Sequence, residues 1–110
     1  MPLLVRREGD TCIVALDGRL ALGGPVDDFR AKWMDALVDG SIRNIVLNLE
    51  KVTMVDSSGI GTIIRCHSAL AKNGGKMKIV GASHSVREAF KITRLDKVFE
   101  FHDSEESALA

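Results

Sequence analysis

The chain alternates between short apolar runs and longer segments in which apolar residues recur at helical spacing. Apolar residues 3–5 and 11–16 flank Glu8-Gly9-Asp10, a tight-turn composition, and so predict an opening hairpin. After Pro25, apolar residues recur every three or four positions and predict an amphipathic helix that ends before Gly40. The apolar positions of this helix are Val26, Phe29, Trp33, Met34 and Leu37.

A buried strand and a second helix are predicted in the middle of the chain. Residues 45–49 are nearly all apolar, which favours a central strand covered on both faces. A helix is predicted to follow Val55 and to end at residues 73–75, Asn-Gly-Gly, where a glycine can adopt the left-handed cap conformation. Its predicted core-facing positions are Ile60, Ile63, Ile64, Leu70 and Ala71.

The last third of the chain continues the alternation of strands and helices. Residues 77–80 and 98–101 predict two strands, and between them Ser85 and Glu88 have the spacing of a helix capping box. Residues 103–106 are typical of the acidic first turn of a terminal helix. The resulting order, ββαβαβαβα, predicts an α/β fold with a mixed central β-sheet and flanking helices, in a single domain over residues 1–110.

Composition narrows the class of protein. The chain has 110 residues, 45% of them hydrophobic and 27% charged, which is typical of one globular domain. Lys+Arg and Asp+Glu both total 15, with no long block of one sign, so we expect no nucleic-acid partner and no direct membrane contact. The two cysteines lack CxxC spacing, and the chain does not open like a signal peptide. These features predict a cytoplasmic protein with free thiols.

The segment between the buried strand and the second helix is the candidate functional site. A helix that begins after a strand offers unpaired N–H groups and a partial positive charge, which suit a phosphate. Gly59 and Gly61 each cost the helix roughly 1 kcal/mol relative to alanine. Close approach of a partner's backbone would explain two glycines in one turn.

The polar residues of this segment divide into a cap and an exposed face. Asp56 or Ser57 is predicted to be the helix N-cap. Because two successive serines cannot both cap, Ser58 is left with a hydroxyl that faces water or a partner. Helical geometry places Ser58, Thr62 and Arg65 on one face, which we expect to be exposed. Arg65 is either an ordinary solvated charge or part of a partner's footprint.

These residues carry a resemblance to a known family. Asp-Ser-Ser-Gly-Ile-Gly at residues 56–61, after an apolar strand, resembles the phosphoacceptor segment of STAS-domain anti-sigma factor antagonists, also called anti-anti-sigma factors. The likeness covers nearly the whole chain and includes residues 16–20, 48–52 and 74–77. It implies a STAS-like fold and a non-catalytic regulator of transcription.

The resemblance also implies a partner-switching cycle. The unphosphorylated form would bind an anti-sigma factor that is also a serine kinase, and so free the sigma factor. The kinase would transfer phosphate from its own ATP to Ser58, which abolishes binding, and a serine phosphatase would restore it. The chain itself would need no cofactor or metal. The implied partner-binding residues are Asp56, Ser57, Ser58, Gly59, Gly61, Thr62 and Arg65. Where the family often has an acidic residue, after the Gly-x-Leu of the second strand, this chain has Ala21.

Two alternatives remain open at this point. A STAS-like module could instead serve as a scaffold or accessory subunit of a signalling or transport assembly. An enzyme with Ser58 as nucleophile is disfavoured, because Asp56 stands where a Gly-x-Ser-x-Gly motif needs its first glycine and His67 has poor reach to Ser58. The histidines lack metal-ligand spacing, and Cys12 and Cys66 are predicted to be small core residues.

Overall fold

The computed structural model describes residues 3–38 and 40–110, and its helices and strands follow the predicted order. The single-domain boundary at 1–110 stays a prediction, and residues 1, 2 and 39 within it lie outside the described residues. The elements are β1 Leu3–Glu8, β2 Thr11–Leu20, α1 Gly24–Leu37, β3 Asn44–Val55, α2 Ser57–Lys72, β4 Met77–Val80, α3 His84–Ile92, β5 Glu100–His102 and α4 Glu105–Leu109.

The five strands form one mixed sheet in the order β1-β2-β3-β4-β5. Strand β1 is antiparallel to β2, and the other neighbouring pairs are parallel. Leu20 at the end of β2 pairs with Val55 at the end of β3. The loops that follow these two strands therefore begin side by side at one edge of the sheet.

The two faces of the sheet are covered very differently. Cys12, Val14 and Leu16 of β2 pack into the main core together with buried residues of α1, α2 and α3. The alternate residue Ile13 points to the opposite face, where it packs with Ala108 of the short helix α4 and with neighbouring strands. The main core thus fixes α2 against the sheet.

Most strands differ in extent from the prediction. Strands β1 and β2 continue beyond residues 5 and 16, to Glu8 and Leu20. Strand β3 continues past residue 49 to Val55, because Val52 and Val55 are also buried. The last strand begins at Glu100 rather than at residue 98. Phe99 is buried from a turn instead, with its ring edge-on to the rings of His67 and Phe90 at centroid distances of 5.0 and 5.4 Å.

The cap of α3 and the buried faces of α1 and α2 also differ in part from the prediction. Ser83, not Ser85, caps α3, since its Oγ accepts a hydrogen bond from the Val86 N–H at 3.4 Å. The left-handed glycine after α2 is confirmed at Gly74, with a φ of 77°. Trp33 is buried as predicted. Three residues that were predicted to face the core are exposed instead, namely Met34, Ile64 and Ala71.

Candidate functional site

Asp56 is the N-cap of α2, one of the two residues predicted for this role. Its backbone is extended, with φ −91° and ψ −176°, and its Oδ1 accepts a hydrogen bond from the Gly59 N–H at 2.8 Å. This bond satisfies one of the N–H groups that the first turn of a helix leaves without a partner. The helix therefore begins at Ser57, and neither serine is needed as the cap.

The same carboxylate ties the loop after β2 to the start of α2. Asp56 Oδ2 accepts a hydrogen bond from the Leu22 N–H at 2.9 Å, and the Asp56 N–H donates to the Leu20 carbonyl at 3.2 Å. The N–H groups of Leu22 and Gly59 hold the pKa of the Asp56 carboxyl below its usual range. Both carboxylate oxygens of Asp56 are thus engaged within the chain, which gives this residue a positioning role.

Gly59 serves the packing of the chain rather than the approach of a partner, which corrects the expectation from the sequence. The residue is buried, and a Cβ added to it would lie 2.5 Å from the Leu20 carbonyl oxygen and 2.8 Å from Val55 Cγ1. Glycine is therefore required here because α2 begins directly against the ends of β2 and β3.

Thr62 is fully buried, and the prediction that it shares an exposed face with Ser58 and Arg65 is wrong. Its Oγ1 accepts a hydrogen bond at 3.2 Å from the indole Nε1–H of Trp33, a buried residue of α1. Helical spacing correctly puts Thr62 near Ser58 around the axis, but it cannot foresee that α1 packs alongside at that turn.

The remaining residues of the segment line an open depression of about 360 Å³ between α1 and α2. Ser57 is exposed, Ser58 is half-buried, and Arg65 is exposed. The Arg65 Nη1 lies 3.8 Å from the position of a Cβ at Gly61, so its guanidinium extends back over the first turn. The depression thus brings together the two serines, Gly61 and Arg65. Their role in binding a partner stays a prediction.

The other wall of the depression was not foreseen from the sequence. It is formed by Leu22, Val26, Asp27 and Arg30, from the loop after β2 and the first turns of α1. The Arg30 Nη2 lies 3.3 Å from Asp27 Oδ1. The parallel pairing of β2 with β3 could have revealed this wall, because parallel neighbours deliver their following loops to the same edge.

His67 is remote from Ser58. It lies nine positions after Ser58 on α2, which corresponds to roughly 14 Å along the helix axis. The His67 ring packs instead against Phe99. Within the described residues, no group of three or more His, Cys, Asp or Glu side chains could hold a metal ion.

Cys12 and Cys66 are both free thiols, and both are buried as predicted. Burial raises the pKa of each thiol. Over residues 3–38 and 40–110, every helix is too short or too polar to cross a bilayer.

The sequence relatives of the chain are named as antagonists of anti-sigma factors. Residues 2–108 match the STAS domain. The chain is 30% identical over 92 residues to an anti-sigma F factor antagonist of Lysinibacillus sphaericus, a match that covers 84% of this chain and 76% of the relative. It is 29% identical over 90 residues to an anti-sigma-B factor antagonist of Staphylococcus aureus, covering 77% of this chain and 82% of the relative.

The solved structures that resemble this chain include those of an anti-sigma factor antagonist. The anti-sigma factor antagonist SpoIIAA in its unphosphorylated form has a TM-score of 0.87 and 26% identity, covering 98% of this chain and 93% of that chain. The Bacillus SpoIIAA in its phosphorylated form has a TM-score of 0.80 and 25% identity, covering 98% and 96%. These relatives in sequence and in structure are named as anti-sigma factor antagonists, and the chain itself belongs to the STAS domain family.

Proposed function

We propose that the chain is an anti-sigma factor antagonist in a partner-switching pathway, with Ser58 as its switch. In this cytosolic pathway the unphosphorylated form binds an anti-sigma factor that is also a serine kinase, and the sigma factor is released. The observation that carries the proposal is the position of Ser58. The residue is half-buried in the first turn of α2 and lines an open depression, within reach of another protein.

The names of the relatives support this role. Both sequence relatives are named as antagonists of anti-sigma factors. SpoIIAA has been solved in phosphorylated and unphosphorylated forms, which supports a phosphorylation cycle for proteins of this kind. The role is that of a non-catalytic regulator, in agreement with the expectation from the sequence.

The chemical step adds charge to the binding surface. The kinase transfers the γ-phosphoryl group of its own ATP to Ser58 Oγ, and ADP and the hydroxyl proton leave. Hydrolysis by a serine phosphatase returns the hydroxyl and releases inorganic phosphate. Phosphoserine carries about −1.5 to −2 charges and must be desolvated on binding, and each loss of ~1.4 kcal/mol weakens binding tenfold.

The rest of the molecule is expected to change little on phosphorylation. The partial positive charge of a helix N-terminus stabilises a nearby anion by up to ~2 kcal/mol, which opposes unfolding of α2. The cap at Asp56 and the packing at Gly59 and Thr62 lie on the inner side of the turn. A phosphate on Ser58 would extend into the depression instead, so we expect a local electrostatic switch.

Variants of Ser58 test the proposal. Anti-sigma factors encoded by the source organism would be produced recombinantly and titrated with each variant by calorimetry. Ser58→Ala should bind even after incubation with ATP, whereas Ser58→Asp should bind at least about tenfold more weakly. Ser57→Ala is the matched control and should lose binding with ATP as the wild type does. A scaffold role would instead give equal binding for Ser58→Ala and Ser58→Asp.

A further inference from the structure

We propose that Leu22 is the apolar anchor through which the anti-sigma factor recognises this chain. The matching partner surface would be an apolar socket with an acidic rim, placed beside the kinase active site. This inference rests on the proposed function, because it concerns the same partner and the same surface. It adds a recognition residue outside the helix that carries Ser58.

Exposure and position single out Leu22. The residue is 78% exposed, and it lines the same depression as Ser57 and Ser58. A kinase whose active site reaches Ser58 Oγ must therefore also cover Leu22. Covering an exposed leucine removes its apolar surface from water, which favours association with an apolar partner surface.

The loop that carries Leu22 is held in place before any partner binds. The Leu22 N–H donates to Asp56 Oδ2 at 2.9 Å. On either side, the Leu20 carbonyl accepts from the Asp56 N–H at 3.2 Å, and the Ala21 carbonyl accepts from the Val26 N–H at 3.3 Å. A side chain on a fixed backbone loses less conformational entropy on binding, so an exposed leucine here is a preorganised contact.

The charges around Leu22 indicate the chemistry of the partner. The depression is lined by two guanidinium groups, of Arg30 and Arg65, and by one carboxylate, of Asp27. Both oxygens of the nearby Asp56 are engaged by backbone N–H groups. Two guanidinium groups against one lining carboxylate favour a partner with carboxylates around its socket. Phosphorylation of Ser58 would add negative charge to this surface and oppose the same partner.

A pair of matched substitutions tests the anchor. Leu22 and Ile92 are both 78% exposed, but Ile92 lies on α3 and not in the depression. Binding of the unphosphorylated variants to the recombinant anti-sigma factors of the source organism would be measured by calorimetry. We expect Leu22→Ala to weaken binding by about tenfold or more and Ile92→Ala to leave it within about twofold. Arg65→Glu should also weaken binding, and this loss should be larger at low salt than at high salt.

A double-mutant cycle tests whether Asp56 positions Leu22. Asp56→Asn keeps an oxygen that can accept from the Gly59 N–H, but its amide group cannot accept from the Leu22 N–H. We expect Asp56→Asn to weaken binding and to speed hydrogen exchange of the Leu22 amide. In the Leu22→Ala background the same change should have a much smaller effect on binding.

The outcomes separate this inference from the proposed function. If an anti-sigma factor binds the wild type and Leu22→Ala equally well, the anchor is wrong while the proposed function stands. If Leu22→Ala and Ile92→Ala weaken binding equally, the loss is not specific to the depression and the anchor is also wrong. If none of the anti-sigma factors binds the unphosphorylated wild type, both the proposed function and the anchor fail.

Discussion

The two sides of the first turns of α2 differ in what they contact. On the inner side, Gly59 lies against the Leu20 carbonyl and Thr62 is hydrogen-bonded to Trp33. On the outer side, Ser58 and Gly61 line an open depression. The inner side fixes where the helix begins, and the outer side leaves a polar surface free for a partner.

This difference separates two roles that look alike in the sequence. Gly59 and Gly61 lie two positions apart in one turn, yet only Gly59 is required by packing. Substitutions on the inner side should therefore change stability, whereas substitutions on the outer side should change binding.

Gly59→Ala should have the largest effect on stability. The new methyl group would lie 2.5 Å from the Leu20 carbonyl oxygen, and backbone cannot move aside as a flexible side chain can. We expect the free energy of unfolding to fall by about 3 kcal/mol, as for severe overpacking of a core. Urea denaturation followed by circular dichroism would measure the change. An unfolding free energy equal to that of the wild type would place Gly59 on the open side.

Thr62→Val should have an intermediate effect. Valine keeps the shape of threonine but removes the acceptor for the Trp33 Nε1–H, which would then be buried without a partner. We expect a loss of about 2 kcal/mol in the free energy of unfolding, measured by urea denaturation with tryptophan fluorescence. Ser68→Ala, at an exposed position of the same helix, is the control and should be nearly neutral. Equal stability of both variants would mean that the indole bond contributes nothing.

Asp56→Asn should have a smaller and pH-dependent effect. The folded-state pKa of the Asp56 carboxyl is lowered by the N–H groups of Leu22 and Gly59. The ionised carboxylate therefore adds stability above the ordinary aspartate pKa of about 3.9, and this contribution is lost as the pH falls through the lower folded-state value.

Asp56→Asn removes the acceptor for the Leu22 N–H and the negative charge at the helix N-terminus. We accordingly expect it to cost about 1 kcal/mol at neutral pH and progressively less in acid. Urea denaturation of both proteins across a series of pH values would measure the difference. A difference that stays constant, or that grows as the pH falls, would contradict the assigned role of the carboxylate.

Gly61→Ala should have the smallest effect and the opposite sign. The nearest atom to the new methyl group is Arg65 Nη1, at an ordinary contact distance of 3.8 Å. Alanine is the better helix former, so we expect a gain of about 0.5–1 kcal/mol in the free energy of unfolding. Thermal denaturation would compare it with Gly59→Ala. A marked loss of stability would show that both glycines serve packing.

The sequence predicts most of the fold because several local signals agree. Hydrophobic spacing, the turn at Gly9 and the glycine after α2 all favour the same order of strands and helices, and that order is confirmed. Boundaries were less accurate where a buried side chain lies outside regular structure. Phe99 fills the core from the segment before β5. Its apolar character made the predicted last strand begin at residue 98 instead of Glu100.

The candidate site could be located from the sequence but not divided into its two sides. The motif identified the segment around Ser58, and Asp56 was one of two predicted caps. The burial of Gly59 and Thr62 depends on β2 and α1, which are distant in sequence. Leu22 was missed for the same reason, since only tertiary structure brings it to the depression.

The most direct test of the account compares one protein in two states. The wild-type chain would be phosphorylated stoichiometrically on Ser58, confirmed by intact mass and peptide mapping, and half of the sample would then be dephosphorylated. Calorimetric titration with the same anti-sigma factor should show binding for the dephosphorylated half and a loss of about a hundredfold or more for the phosphorylated half. Equal affinity in the two states would contradict the account.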